Sequence, residues 1–369
     1  MTEVSVLSQL IDAATSGGEQ APMVRYELSI DGLAIPTIVG INAFSELGAL
    51  IPTHWSRVVL VTQSAIPGRF TAPPGAPWVV IPAGEAAKRA SVAERLAERL
   101  VDLGLGRSGG LIAVGGGVVT DLVGYVASTF MRGIEYLNVP TTLLGMVDAA
   151  IGGKTGVNLT RGKNLVGSFL QPTGLLCDLG YLATLPRREW LSGAGELAKY
   201  SFLTDEAIAG RPLADQIIAA QQLKEAYVAS DTRESGRRSL LNYGHTLGHA
   251  IEGVFLGQGD DGAISHGEAV AVGLMFAALL AEHMGRIDQA RVQYHRDVLS
   301  AYELDWRLPY GLGVDALVHY MRADKKNQGD LSFVLDGVNG LELVHGVDAV
   351  LVRRLLKDYP RREYVVERT

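Results

Sequence analysis

Gly110-Leu111-Ile112-Ala113-Val114-Gly115-Gly116-Gly117-Val118-Val119-Thr120-Asp121 is the stretch whose reading decides the fold. It opens with an apolar run of strand length and passes through a glycine triplet into residues of helical pattern. The apolar character continues to Phe130, which raises the possibility of a membrane span. A span needs about 20 predominantly apolar residues with few charges. The glycine triplet and Asp121 fit a buried strand, a turn and a helix start better. Successive glycines let a backbone approach a pyrophosphate, whose charge suits a helix N-terminus. The triplet is not the usual GxGxxG pattern, and a tight strand-to-helix connection explains it equally well.

Working outward, Val58–Val61 and Trp78–Ile81 read as further strands, and Ser91–Leu103 carries apolar residues at helical spacing. Strands alternating with helices predict a parallel sheet covered by helices. After Pro186 the pattern changes to long helical stretches: Arg187–Phe202, Leu213–Ala229, Asn242–Val254, His266–Met284 and Gln289–Ala301. Leu331–Val344 reads as a small hairpin. The expected organisation is an N-terminal extension over 1–22, an α/β domain with a parallel sheet over 23–185, and a mostly α-helical domain over 186–369.

Composition narrows the function. The 369 residues suggest two domains. A formal charge of −7 argues against wholesale nucleic-acid binding, so any anion site must be a local basic cluster. The single cysteine, Cys177, allows no intrachain disulfide and fits a cytosolic setting. The N-terminal residues lack the basic and apolar regions of a secretory signal.

Three histidines fall between Arg237 and Glu268, in a chain with 8 in all. His245 and His249 are four residues apart, about one helical turn, so both rings would project from one face. Such a pair can hold a divalent metal or simply be hydrogen-bonded in a core. Arg237 and Arg238 crowd the same segment, which suggests chemistry on an anionic, oxygen-rich substrate.

Further motifs occur in a fixed order. They are Pro82–Lys88, the glycine triplet, Phe130-Met131-Arg132-Gly133, Val139–Leu144, Val147-Asp148, Gly152–Asn158, Gly162–Gly167, Gly195–Lys199, the histidine region and Asp324-Lys325-Lys326. Together they resemble the 3-dehydroquinate synthases, within the sugar phosphate cyclase superfamily. The resemblance runs from about Val24 to Leu356.

The resemblance implies a carbon–oxygen lyase of the shikimate route. Its substrate is the seven-carbon sugar acid phosphate DAHP, and its products are 3-dehydroquinate and phosphate. It implies NAD, which is not consumed, and a divalent metal, commonly zinc with cobalt able to substitute. Oxidation of a ring hydroxyl acidifies the neighbouring C–H. Phosphate then leaves by β-elimination, the hydride returns, the ring opens and an intramolecular aldol closes the carbocycle. Tight positioning would contribute much of the rate.

The same resemblance implies residue roles. Glu196, His245 and His266 would ligate the metal, leaving coordination open for substrate, and His249 would serve the substrate side. An anion clamp would comprise Lys154, Lys199, Lys224, Arg238 and Lys326, with Asn164 and Asn242 as neutral donors. Taken singly, each such Lys or Arg is most often a solvated surface charge. Arg132 would reach a neighbouring subunit's phosphate site, implying a homodimer, and Asp148 would lie near the nicotinamide–substrate boundary. NAD contacts would fall on Glu85, Lys88, Gly115, Gly116, Val118, Asp121, Thr141, Thr142, Lys163, Thr184 and Glu189. A buried Asp or Thr there could equally cap a local helix.

This chain departs from the family pattern at three places. Gln63 stands where a ribose-binding Asp is common, Thr120 where a Gly is frequent, and Gly257–Ile264 forms a longer insertion. Aminodehydroquinate synthases would keep nearly every motif above. Valiolone-type and 2-deoxy-scyllo-inosose-type cyclases usually alter the Arg238–Asn242 or GHTLGH region. Both are intact here, which favours a carboxylate-bearing substrate. A metal-dependent polyol dehydrogenase would release net NADH, and a noncatalytic relative would have lost a ligand or lysine. No membrane or nucleic-acid partner is expected.

Overall fold

In a computed structural model the chain is described over residues 5–15, 23–64, 73–160, 162–204, 206–231, 236–258, 260, 263–323 and 331–363. The helices, in chain order, are α1 (Val6–Thr15), α2 (Leu47–Leu50), α3 (Ala90–Asp102), α4 (Gly117–Thr129), α5 (Arg187–Tyr200), α6 (Leu213–Ala229), α7 (His245–Gly257), α8 (His266–His283), α9 (Gln289–Ala301), α10 (Val314–Ala323) and α11 (Ala349–Asp358). The strands are β1 (Val24–Ile30), β2 (Leu33–Gly40), β3 (Val58–Gln63), β4 (Trp78–Ile81), β5 (Gly110–Gly115), β6 (Glu135–Pro140), β7 (Lys154–Leu159), β8 (Gly162–Phe169), β9 (Leu175–Asp178), β10 (Leu308–Pro309), β11 (Leu331–Leu335), β12 (Glu342–Val347) and β13 (Arg361–Arg362). The described residues fall into two compact units. One comprises Ile11–Leu185 with Pro212–Thr232, the other Met1–Leu10, Pro186–Arg211 and Arg233–Thr369.

The first unit is built on a seven-stranded sheet in the order β1-β2-β9-β6-β5-β3-β4. β5 pairs in parallel with β3 and β6, and all six of its residues are buried. A strand covered on both faces reads as an unbroken apolar run, which is why this stretch was so legible. Its side chains alternate between two cores. Leu111 and Ala113 join Leu96, Leu100, Leu122 and Val123 on one face, while Ile112 and Val114 join Leu47, Trp55, Leu137 and Leu176 on the other. The sheet is parallel except for β1, which pairs antiparallel with β2. Asp31 and Gly32 turn between them with φ of 56° and 71°, the left-handed pair that a two-residue hairpin favours.

The second unit packs helices around α8. Thirteen of its 18 residues are buried, as an element apolar on every side requires. A capping box starts α8: Glu268 N–H donates to Ser265 Oγ at 3.4 Å, and Ser265 N–H donates to Glu268 Oε2 at 3.1 Å. The hairpin expected near Leu331–Val344 is present as antiparallel β11 and β12.

One element groups differently from the sequence pattern. The helix Leu213–Ala229 was expected in the helical domain, yet it belongs to the sheet unit. Gln221 Nε2 donates to the Met146 carbonyl at 2.7 Å, Tyr26 donates its hydroxyl to Gln221 Oε1, and Lys224 Nζ donates to the Asp148 carbonyl at 2.8 Å. Helical periodicity carries no signal for which neighbour a polar face will meet. Among the described residues, no helix is long and apolar enough to cross a membrane.

Candidate active site

Three helices of the second unit bring Glu196, His245 and His266 together, although 70 residues separate the first from the last. One ligand atom from each lies within 4.8 Å of the others. Glycines make this approach possible. A Cβ at Gly195 would sit 2.3 Å from Gly267 Cα, so the backbones of α5 and α8 touch beside Glu196 and His266. A Cβ at Gly273 would sit 1.8 Å from the Gly244 carbonyl, which draws the start of α7 against α8. Gly244 precedes His245 with φ 80°, a conformation that favours glycine.

Hydrogen bonds aim the imidazoles. His245 Nδ1 donates to the Tyr243 carbonyl at 3.0 Å, leaving Nε2 to face Glu196 Oε1 at 3.3 Å. His266 Nε2 lies 3.2 Å from the same oxygen, and its Nδ1 lies 3.4 Å from Glu252 Oε1. A carboxylate behind a histidine is the usual outer partner of a metal ligand. Sequence reasoning missed Glu252. Its signal was present, three residues beyond His249 and seven beyond His245 on one helix face.

The electrostatics suit a cation. Burial opposes charge on Glu196, but Lys199 and His245 outweigh it and hold the carboxyl well below its ordinary range. Burial pushes His245 down to about 4, so its imidazole is neutral, as metal ligation requires. Burial also opposes charge on His266, but Glu252 and Glu196 raise it to about 10, which marks a place that stabilises positive charge. The donor set and its charge therefore fit a divalent metal such as zinc.

Lys199 is buried and ion-paired to Glu196, with its Nζ 4.7 Å from the Tyr200 ring centre. The guanidinium residue Arg238 is only 2% exposed, in the 3-10 turn Arg237–Asn242 that leads to α7. Asn242 Nδ2 donates to the Ser239 carbonyl at 3.0 Å. His249 is exposed, with its ring centre 5.2 Å from that of His245 and 6.2 Å from that of His266. It stands beside the three-residue cluster and outside it. Lys326 lies outside the described residues, as does part of the insertion near Gly257–Ile264. Glu189 lies in the first turn of α5.

The sheet unit carries the other candidates. Gly115 ends β5, Gly116 caps α4 and Val118 follows in its first turn. A Cβ at Gly116 would come within 3.0 Å of Thr142 Cγ2. Lys88 donates to both Asp121 and Asn164. Burial raises the Asp121 carboxyl against the opposing pull of Lys88. Asn158 Nδ2 donates to Glu85 at 2.6 Å and Asn158 Oδ1 accepts from Asn164 N–H at 2.8 Å, so Asn158 ties these residues together. Thr141 is buried just beyond β6, and Thr142 Oγ1 accepts from Gly145 N–H at 3.1 Å, a local capping role. Thr184 donates its hydroxyl to the Tyr181 carbonyl at 3.1 Å. Lys224 Nζ is 2.8 Å from an Asp148 carboxylate oxygen. Lys154 and Lys163 are exposed on the β7–β8 hairpin. Arg132 is exposed on a turn where Met131 and Arg132 have φ of 52° and 71°.

Gly115 and Gly116 lie at the carboxyl end of β5, and Thr141 and Thr142 at that of β6, where open α/β sheets bind ligands. Gln63 ends β3 with its Nε2 buried and without a hydrogen-bond partner among the described residues. A crowded glycine at a helix start and an unpartnered amide donor fit a dinucleotide.

Comparison with known proteins agrees with this geometry. The profile for the 3-dehydroquinate synthase N-terminal region matches residues 78–192, and that for the C-terminal region matches residues 193–327. A protein of Amycolatopsis mediterranei provisionally named aminodehydroquinate synthase is 45% identical over 303 residues, covering 82% of this chain and 85% of its own. The 3-dehydroquinate synthase of Streptomyces coelicolor is 40% identical over 339 residues, covering 85% and 92%. A 2-deoxy-scyllo-inosose synthase, solved with carbaglucose-6-phosphate, NAD+ and Co2+, superposes with a TM-score of 0.80 at 26% identity, covering 91% of this chain and all of the other. With both profiles matched in succession over residues 78–327 and the acid–histidine cluster in place, this chain belongs to the 3-dehydroquinate synthase family.

Proposed function

We propose that this chain is a 3-dehydroquinate synthase that converts DAHP to 3-dehydroquinate and phosphate. The observation that carries this reading is the convergence of Glu196, His245 and His266 in a chain 40% identical to a 3-dehydroquinate synthase. A divalent metal, zinc or cobalt, held by these three residues would supply Lewis acidity toward a substrate hydroxyl. NAD at the glycine triplet would supply reversible acceptance of a hydride.

The chain's own residues then bind and orient. The donors toward the substrate's anionic oxygens would be Lys154, Asn164, Lys199, Lys224, Arg238, Asn242 and Lys326. Burying a dianion requires several such donors in place of its lost water. Arg238 suits planar bidentate contact, whereas the lysines act as point charges. Asp148 holds Lys224 by both its carbonyl and its carboxylate, which fixes that ammonium group. His249, exposed beside the metal ligands, is placed to carry a proton to or from the substrate. Arg132, on its left-handed exposed turn, is offered to a second copy in a homodimer. The single buried Cys177 suits a cytoplasmic enzyme.

A second reading is an aminodehydroquinate synthase, favoured by the 45% identity to the Amycolatopsis mediterranei protein. Phosphate release by the metal-replete full chain, measured with DAHP, its amino analogue, sedoheptulose 7-phosphate and glucose 6-phosphate, separates these readings. Highest kcat/KM with DAHP is expected. Preference for the amino analogue selects the second reading, and turnover only with a substrate lacking the carboxylate overturns both.

A further inference from the structure

We infer that Tyr243 and His295 are positioning residues for the metal ligand His245, through a buried chain of hydrogen bonds that all point one way. The inference rests on the metal-centre reading above and extends it to residues that touch neither metal nor substrate.

The chain begins at the Arg291 carbonyl, which accepts from His295 Nδ1–H at 2.8 Å. A carbonyl cannot donate, so the proton must sit on Nδ1. His295 is fully buried, and burial pushes its imidazole down to about 4, so the ring is neutral and carries that one proton. Its Nε2 is therefore an acceptor, 2.8 Å from the Tyr243 hydroxyl, which donates. The Tyr243 carbonyl in turn accepts from His245 Nδ1–H at 3.0 Å. By the same logic His245 Nε2 carries the lone pair, and it is this nitrogen that faces Glu196.

Packing fixes the chain in place. Phe202 stacks on His295 with ring centres 4.1 Å apart and planes 10° from parallel, and it meets Tyr243 edge-on at 6.0 Å. The Tyr243 ring is fully buried. Between Tyr243 and His245 lies only Gly244, whose left-handed φ gives the backbone a sharp turn. Anchoring the Tyr243 side chain therefore sets the direction of the carbonyl that His245 reads. The nearby charges are committed elsewhere. Arg291 Nε donates to Asp336 at 2.6 Å, and Asp336 Oδ2 is 4.0 Å from His295 Nε2, beyond hydrogen-bonding distance. A purely apolar core would have no use for a polar Tyr–His pair, because buried polar groups cost stability unless satisfied. Both ring nitrogens of His295 and the hydroxyl proton of Tyr243 have partners, and the Tyr243 carbonyl meets the ligand His245.

The test uses the full chain, stripped of metal and titrated with Co2+ alone, read by its visible absorption and by competition with a chelator. His295→Leu and Tyr243→Phe should each lower Co2+ affinity about 10-fold and shift the visible band, the lower end of what outer partners of metal ligands contribute. His295→Gln, whose amide oxygen can accept the Tyr243 hydroxyl, should restore most of both. Wild-type affinity and band in His295→Leu overturn the inference, and so does a loss in His295→Gln equal to that in His295→Leu. If His295→Leu does not fold, Tyr243→Phe decides, since it removes a single oxygen. Failure of the wild-type chain to bind Co2+ overturns the metal-centre reading itself, whereas normal wild-type binding with unchanged variants overturns the positioning chain alone.

Discussion

Glu196, His245 and His266 come from three helices whose backbones touch through glycines, whereas Lys88, Asp121 and Asn164 of the sheet unit come from a turn, a helix and a hairpin and pair with one another. In the first region packing sets the geometry, and the charges converge on one point. Lys199 and the imidazoles hold Glu196 ionised despite its burial. In the second region the cation and the acid satisfy each other, and burial raises Asp121 rather than lowering it. On the proposed reading, the first region would meet a metal with its three ligand atoms already within 4.8 Å of one another. In the second, a bound ligand would compete with the Lys88–Asp121 ion pair and the Lys88–Asn164 hydrogen bond.

Perturbations should therefore act differently in the two regions. The largest effect belongs to His266→Ala. It should cost more than about 100-fold in Co2+ affinity, beyond the usual range for outer partners, and bring phosphate release to baseline. Retained metal and activity in that variant would show the ligand set to be wrong. Next comes Gly267→Ala, whose Cβ would sit 2.3 Å from the Leu191 carbonyl. Overpacking of this kind costs about 1–3 kcal/mol, so Tm should fall and Co2+ affinity with it. An unchanged Tm would remove the argument that glycine contacts build the site.

A smaller effect is expected in the sheet unit. Lys88→Met should weaken NAD binding by about 10-fold, in line with losing one charge-assisted hydrogen bond, and leave Co2+ titration unchanged. A parallel loss of Co2+ affinity would break the distinction between the regions. The smallest effect is expected at Glu303. Hydrogen bonds from Arg187 and Ser5, with a further one from Ser8, hold Glu303 down at about 2 against an ordinary 4.5. A depressed carboxyl stabilises the fold above its unfolded value and loses that contribution as pH falls through the folded one. Thermal melts should show a modest advantage of wild type over Glu303→Gln near neutral pH, shrinking between about pH 4.5 and about pH 2. A constant difference across that window would assign the effect to packing.

How much was legible follows from the kind of interaction involved. The β5 run and the helices at Leu213–Ala229 and Gln289–Ala301 could be read residue by residue, because period and burial act locally. The hairpin turn at Asp31-Gly32 carried its own signal, which the expectation of a parallel sheet overlooked. The spacing of His245 and His249 correctly marked a helix face, with ring centres 5.2 Å apart, but could not show which residues join His245 in the three-residue cluster. His266 joins His245 and Glu196 through helix crossings at Gly195, Gly244, Gly267 and Gly273, and spacing along one helix cannot show a crossing. The family resemblance supplied that ligand set. His295 had no signal at all, since it is a lone histidine in an amphipathic helix and its meaning depends on Tyr243, 52 residues away. Asn158 was quoted within a motif, but its role as a tie between Glu85 and Asn164 emerges only in three dimensions.

On the proposed function, a metal held by Glu196, His245 and His266 serves phosphate elimination without net oxidation. One assay addresses it most directly: inorganic phosphate and NADH absorbance followed together as the metal-replete full chain acts on DAHP with NAD. Steady phosphate release with no accumulating NADH is the expected result. NADH accumulating without phosphate, or no phosphate from DAHP at all, would contradict it.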